Sequence, residues 1–273
     1  MSGSVERVLL VDRLQHGSQG AASLEASPSW EDGLLGHRQR FFSTILADTP
    51  ELLEAAHALR YQVYCLERCF ENAAEHPDGF EKDAYDAQSI HGVLFHRPTR
   101  RPIGTVRAVL PKVSQSLPIA KLLEANSLNL SDYLTLSDTF EISRFAISKE
   151  FRRLRQDQAD AALLAAQNTD QGINSPFLSL LQFLLRESVR RNVRFWTAMM
   201  EPKLLRMLAR MGLCYSPIGP LVEHHGIRQP CYCYLPDLLE NARRANPQCW
   251  DVLTNGGLLQ DQLNNNTEEL AVA

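Results

Sequence analysis

The sequence predicts an α+β fold: a mixed, mainly antiparallel central sheet with helices on both faces. Strand-like and helical runs follow one another as helix, two strands joined by a short polar turn, a third strand, then strand, helix and further strands. A chain of 273 residues with 44% hydrophobic content can bury one full core and still leave irregular tails.

Taken in order, residues 1–40 are expected to form a flexible arm, because Gln15 to Arg38 is rich in Gly, Ser, Ala and charge. One domain is expected over residues 41–253. Asp48 with Glu51 offers a capping box and Pro50 a first-turn proline; Leu52, Ala56, Leu59, Val63 and Leu66 then recur at helical spacing. Asn72 to Gln88 has neither helical nor strand period and reads as an acidic loop. Ile90–His96 and Ile103–Leu110 are strand-like runs joined by a Pro-containing turn, as in an antiparallel hairpin. Ile119 to Leu130 is partly helical, and Thr139–Ile147 reads as a third strand. Phe177–Arg191 reads as a buried helix, Arg194–Met199 as a strand, and Pro202–Met211 as a helix ended by Gly212. Leu213–Pro217 and Cys231–Leu235 complete the strands, and residues 254–273 are expected to be poorly ordered.

Composition excludes some functions. A formal net charge of −4 gives no global attraction to nucleic acid, so no nucleic-acid partner is expected. The apolar run Val8–Val11 is too brief for a signal segment, and no stretch approaches the roughly 18 apolar residues of a transmembrane helix. Six cysteines without a disulfide-framework rhythm fit a reducing compartment, so a cytoplasmic location is expected. Cys231 with Cys233, Cys65 with Cys69, and His224–His225 lack C-x-x-C spacing, and no metal is expected.

A spaced set of residues carries a resemblance. Arg60-Tyr-Gln-Val-Tyr64, Phe70, Asp83-Ala-Tyr-Asp86, Gly104-Thr-Val-Arg107 and Glu141-Ile-Ser-Arg144-Phe145 resemble, in order and approximate spacing, the signature of the acyl-homoserine lactone synthases and N-acyl amino acid synthases of the GNAT superfamily. A closer likeness, in Arg60 to Glu67 and Pro77-Asp-Gly79, is to the acyltransferases associated with PEP-CTERM/exosortase systems. Phe70 stands where those synthases usually carry Trp, and Tyr64 where they often carry Phe. The resemblance implies a GNAT fold and transfer of a fatty acyl group from acyl-carrier protein to an amino acid or similar primary amine. It further implies Glu141, Arg107 and Arg144 as catalytic residues, and Arg60, Tyr64, Phe70, Asp83, Asp86, Ser143 and Phe145 as substrate-binding residues. Two alternatives stay open: an acyl-homoserine lactone synthase using S-adenosylmethionine, and a non-catalytic module that binds a lipid or a partner.

Amide formation from a thioester needs a neutral amine, a proton acceptor and donors for the developing oxyanion. Glu141 suits the acceptor role, or else pairs with Arg107 or Arg144. Strand alternation puts Glu141, Ser143 and Phe145 on one face and Arg144 on the other, so Glu141 and Arg144 share a site only if the strand bulges between them. Arg107 lies in an apolar strand, needs a carboxylate, and has Asp83, Asp86, Glu141 or a substrate carboxylate as options. No Gly-rich pyrophosphate turn follows Ile147, which favours acyl-carrier protein over acyl-CoA as donor, with no other cofactor. The basic cluster Arg152, Arg153 and Arg155, with Arg190, Arg191 and Arg194, either docks the acidic carrier or forms an ordinary solvated basic face. Phe177 to Leu185 is greasy enough for an acyl channel, although core packing accounts for most of that helix.

Overall fold

The computed structural model describes residues 41–112, 115–149 and 175–272, with side chains as far as Asn266. The expected arm at 1–40 and Arg152, Arg153 and Arg155 lie outside the described residues.

The order is β1 (Phe42–Leu46), α1 (Pro50–Arg60), β2 (Ser89–His96), β3 (Arg101–Val109), α2 (Pro118–Glu124), β4 (Thr139–Ile147), α3 (Pro176–Arg190), β5 (Phe195–Met200), α4 (Pro202–Arg210), β6 (Ser216–Pro217), β7 (Val222–Glu223), β8 (Ile227–Tyr234), α5 (Leu235–Ala245), α6 (Pro247–Thr254) and α7 (Leu258–Val272). The strands form one mixed sheet in the order β1-β2-β3-β4-β5-β8-β6, with β7 paired to β8. Every neighbouring pair is antiparallel except β4 and β5. The expected α+β class is therefore found.

The two sheet faces differ in chemistry. One carries Val106, Ala108, Phe140, Ile142, Trp196, Ala198, Cys231 and Cys233, and packs against α3, α5, α6 and α7 in the main apolar core. Gly92 permits the closest approach on that side, because a Cβ there would lie 2.6 Å from the Phe183 ring of α3. The other face carries polar residues in register, all buried except the half-buried Ser143: His91 opposite Arg107, Arg107 opposite Ser143, and Glu141 opposite Thr197. Buried polar groups must find partners, so this face is where chemistry is to be sought. It is covered by α1, which packs on β2 and β3, and by a smaller cluster around α2.

Three expectations are corrected and one strand is added. Thr49, not Asp48, caps α1: its Oγ1 accepts the Leu52 N–H at 3.4 Å. Leu66 was placed on the apolar stripe, but α1 widens into a π-helical segment over Tyr61–Glu67, and the wider winding carries Leu66 off the core side to 58% exposure. β1 had no reading as a strand; it pairs along β2 at the sheet edge. The C-terminal segment, expected to be poorly ordered from about residue 254, forms α7, with Leu259 and Leu263 buried in the main core. α3 likewise spends Leu178 to Leu185 on that core, which is the packing reading of its apolar run.

Candidate active site

The site grows from the end of α1. The π-helical turn leaves Arg60 fully buried, pointing at the sheet instead of snorkelling to solvent. A buried guanidinium requires carboxylates. Its Nε donates to Glu81 Oε2 at 2.5 Å and its Nη1 to Asp86 Oδ1 at 2.6 Å. The same segment closes with Phe70 and Glu71 both donating backbone N–H groups to the Tyr64 carbonyl, which fixes those side chains over the sheet.

Arg107 resolves its options in favour of the loop acids. Nη1 donates to Asp83 Oδ1 at 2.6 Å and Asp86 Oδ1 at 2.7 Å, while Nε donates to Ser143 Oγ at 2.9 Å. Its fork is thus closed by the protein's own groups.

The bulge that strand alternation required is present on β4. Thr105 pairs with Ala146 and Arg107 with Ser143, so Val106 alone opposes both Arg144 and Phe145. Arg144 takes φ +47°, a left-handed conformation that costs a non-glycine residue energy. The kink sends its side chain to the Arg107 side, where Nη2 donates to Glu81 Oε1 at 3.0 Å, Glu71 Oε1 at 3.1 Å and Asp83 Oδ2 at 3.3 Å, and Nε donates to Glu81 Oε2 at 3.0 Å. Its guanidinium also lies 5.2 Å from the Tyr64 ring centroid. Asp83 therefore bridges Arg107 and Arg144, and Glu81 bridges Arg60 and Arg144.

Three guanidiniums thus meet four carboxylates: Glu71, Glu81, Asp83 and Asp86. Burial alone would raise Glu81, but hydrogen bonds from Arg60 and Arg144 pull it down to about 2. Burial opposes Asp86 in the same way, and Arg60 foremost holds it well below the ordinary carboxylate range.

Glu141 stands apart from this network. It is 3% exposed, and its Oε2 accepts the Ile119 N–H at the start of α2 at 2.8 Å. Burial pushes its carboxyl up to about 8, against the Ile119 N–H and the charges of Arg107 and Arg144. Beside it the sheet opens. β4 pairs with β5 only from Thr139–Phe195 to Ile142–Ala198, although the strands run on to Ile147 and Met200. From Ser143 onward, just past the glutamate, the β4 main chain has no pairing partner on β5, and we refer to this gap in the ladder as the notch. Phe145 lies in that bulged stretch, and its carbonyl accepts from the Tyr64 hydroxyl at 3.5 Å.

The sequence reading missed Glu81, Glu71, His57 and His91 as members of the site. Glu81 had a signal, since Glu81, Asp83 and Asp86 stand close together in the acidic loop. His57 and His91 carried none: their rings meet edge to face beside Asp86, with centroids 5.5 Å apart, and burial holds His91 down at about 4. His57, Asp86 and His91 offer ligand atoms within 4.8 Å of one another. Asp86 Oδ1 is already held by Arg60 and Arg107 and Oδ2 by the Asp83 N–H, so a cation there would face two guanidiniums. The trio does not suit a metal.

Outside the site, burial pushes the thiols of Cys65 and Cys249 up to about 11 and that of Cys231 up to about 12, none suited to nucleophilic work. The other basic residues named for carrier docking are paired within the fold: Arg190 and Arg191 with Glu187, and Arg194 with Asp138. Among the described residues no helix is long and apolar enough to cross a membrane.

Residues 59–160 match the family described as acetyltransferase (GNAT) domain, a span holding Arg60, Arg107, Arg144, their four carboxylates and Glu141. No curated protein sequence matches the chain. Among solved structures the fold is similar to TofI, seen in a ternary complex with an inhibitor and MTA, at 18% identity and TM-score 0.53 over 76% of this chain and 99% of that one. It is similar to FeeM, an N-acyl amino acid synthase from uncultured soil microbes, at 14% identity and TM-score 0.50 over 75% and 96%. It is also similar to MesI, a CoA-dependent acyl-homoserine lactone synthase, at 19% identity and TM-score 0.50 over 76% and 95%.

Proposed function

We propose that this acyltransferase of the GNAT type moves a fatty acyl group from an acyl-carrier-protein thioester to the amino group of an amino acid or similar primary amine, with Glu141 as general base. The observation that carries the reading is the position of Glu141: a carboxyl with a base-range pKa, buried at the edge of the β4–β5 notch and flanked by a bulge. The notch would receive the thioester in extended form along the main chain of β4. The amine nitrogen attacks the thioester carbon, and its proton passes to Glu141, directly or through one water. The tetrahedral oxyanion then collapses, the C–S bond breaks, and the thiolate leaves as the proton returns to it. Glu141 accepts the proton in its ionised form, and with its carboxyl raised to about 8 that form grows above neutral pH, where more of the acceptor amine is also neutral.

In this reading the arginines do not touch the reacting carbonyl. Arg60, Arg107 and Arg144 hold the bulge and the acidic loop in place, so that backbone N–H groups near Ser143 can face the oxyanion. Tyr64 and Phe70 would supply the apolar rim, whereas the bulge turns the Phe145 ring to the other face of the sheet, against Phe177 of α3, and not to the Glu141 side that strand alternation gave it. A carrier-protein donor rests on the lack of a Gly-rich turn, and docking by Arg152, Arg153 and Arg155 on their charge. The link to PEP-CTERM/exosortase systems rests on Arg60–Glu67 and Pro77–Gly79.

Lipids extracted from cells overproducing the protein test the reading. N-acyl amino acids should accumulate, and should be absent from a Glu141→Gln control. Acyl-homoserine lactones in their place would move the chain to S-adenosylmethionine-dependent synthesis. Identical lipids from both strains would leave it a binding module.

A further inference from the structure

Three of the four arginines around the site are consumed by the protein's own carboxylates. Arg60, Arg107 and Arg144 each make at least two carboxylate contacts, all at 3.3 Å or less. An incoming carboxylate would have to displace one of these acids from its arginine. Arg228 is different. Its nearest carboxylate is Glu201 Oε1 at 3.5 Å, on a half-exposed side chain, and its Nη1 otherwise donates to the carbonyl of Ile227 beside it. Its side chain is nevertheless only 13% exposed.

Arg228 is also in the right place. Thr197 opposes both Glu141 and Tyr232, and Met199 opposes Pro230. Continuing that alternation, Arg228 lies on the same sheet face as Glu141, one step beyond the last β5–β8 pair, Met200–Gln229. This is the end of the sheet where β4–β5 pairing stops. The guanidinium lies over the Phe70 ring, 5.7 Å from its centroid, and Phe70 pairs at 6.2 Å with the ring of Tyr64, over which Arg144 lies. The tight β7–β8 turn, with His225 at φ +52° and Gly226 at φ +93°, presents His225 against Phe70 and 3.7 Å from Glu71. The hairpin and Arg228 are thus set beside Phe70 and Glu71, next to the Arg144 network.

We propose that Arg228 binds the carboxylate of the acceptor, so that the enzyme selects α-amino acids over simple amines, with Phe70 holding the guanidinium plane and Glu201 as the partner it gives up. The proposal rests on the amide-forming reading above and narrows it to carboxylated acceptors. A guanidinium offers a forked edge to a planar carboxylate, which a lysine could not match.

The test uses the full-length enzyme, an acyl-carrier-protein thioester, and matched acceptors: leucine with isoamylamine, and phenylalanine with phenethylamine. The wild type should prefer each amino acid over its amine. Arg228→Gln should lower kcat/KM for the amino acids by about 30-fold or more, chiefly through KM, and leave the amines within about threefold. Arg228→Lys should fall between. Glu201→Gln frees the arginine without touching it, and should lower KM for the amino acids. Equal losses on amino acid and amine, or a wild type indifferent to the carboxylate, would overturn the assignment while leaving amide formation intact. Transfer to none of the four acceptors by the wild type would remove both this inference and the function it rests on.

Discussion

Replacing Glu141 by Gln should make the protein more stable relative to wild type as pH rises. The carboxyl moves from an ordinary 4.5 to about 8 on folding because burial disfavours its charge. Below pH 4.5 both the folded and unfolded forms are protonated, and stability is fully present. Between 4.5 and 8 the unfolded chain ionises while the folded protein keeps its proton, so stability is lost at about 1.4 kcal/mol per pH unit. Above about 8 the folded form ionises too and the loss levels off. Glutamine has the same shape, and its Oε1 can keep the Ile119 N–H bond, but it does not titrate.

Any fixed cost of the amide is the same at every pH, so the measurable quantity is the change in the gap between variant and wild type. From pH 5.5 to 7.5 that gap should move by about 2–3 kcal/mol in favour of the variant. With a urea m-value of about 2–3 kcal/mol/M, this is a relative shift of about 1 M in the denaturation midpoint. Urea titrations of both proteins at several pH values read it directly, and other titrating groups cancel in the comparison. A gap that stays constant from pH 5.5 to 7.5 would show that Glu141 titrates normally, and would remove the argument for it as a base with a raised pKa.

Two further outcomes follow from the buried network and the core. Glu81→Gln leaves Arg60 and Arg144 short of charge and should destabilise the protein by about 3–5 kcal/mol at pH 7. Because the Glu81 pKa is depressed to about 2, its contribution is present above about 4.5 and is lost as pH falls through 2, so thermal melts should show the deficit of the variant shrinking over that range. Gly92→Ala drives a methyl to within 2.6 Å of Phe183 and should lower stability by about 1–3 kcal/mol through overpacking, with KM for either substrate unchanged, since the strain falls on the opposite face of the sheet from Glu141.

The parts legible in the sequence were those governed by local period and by alternation. β4 was read to its final boundaries because apolar and polar residues alternate along it, and that same alternation exposed the conflict over Arg144. What stayed hidden was set by tertiary contact. The π-helical widening after Arg60 leaves no compositional mark, and it decides that Arg60 is buried and Leu66 exposed. β1 is an edge strand of five residues whose pairing partner lies well along the chain, and α7 is ordered by burying Leu259 and Leu263 against α3 and its neighbours, not by helix propensity in a run of Asn and Gln.

The bulge joins the legible part of the site to the hidden part. Regular pairing would put Arg144 in the apolar core beside Ile142 and Ala146, where a guanidinium has no partner. The left-handed turn at Arg144 is strained, yet it exchanges that unpaired charge for contacts to Glu71, Glu81 and Asp83. The acidic loop therefore does more than neutralise arginines: it holds the β4 bulge where pairing with β5 ends, just past Glu141. If so, the carboxylates farthest from the reacting carbonyl shape the notch that receives it, and loss of Glu81 should be felt in donor binding before it is felt in the ionisation of Glu141.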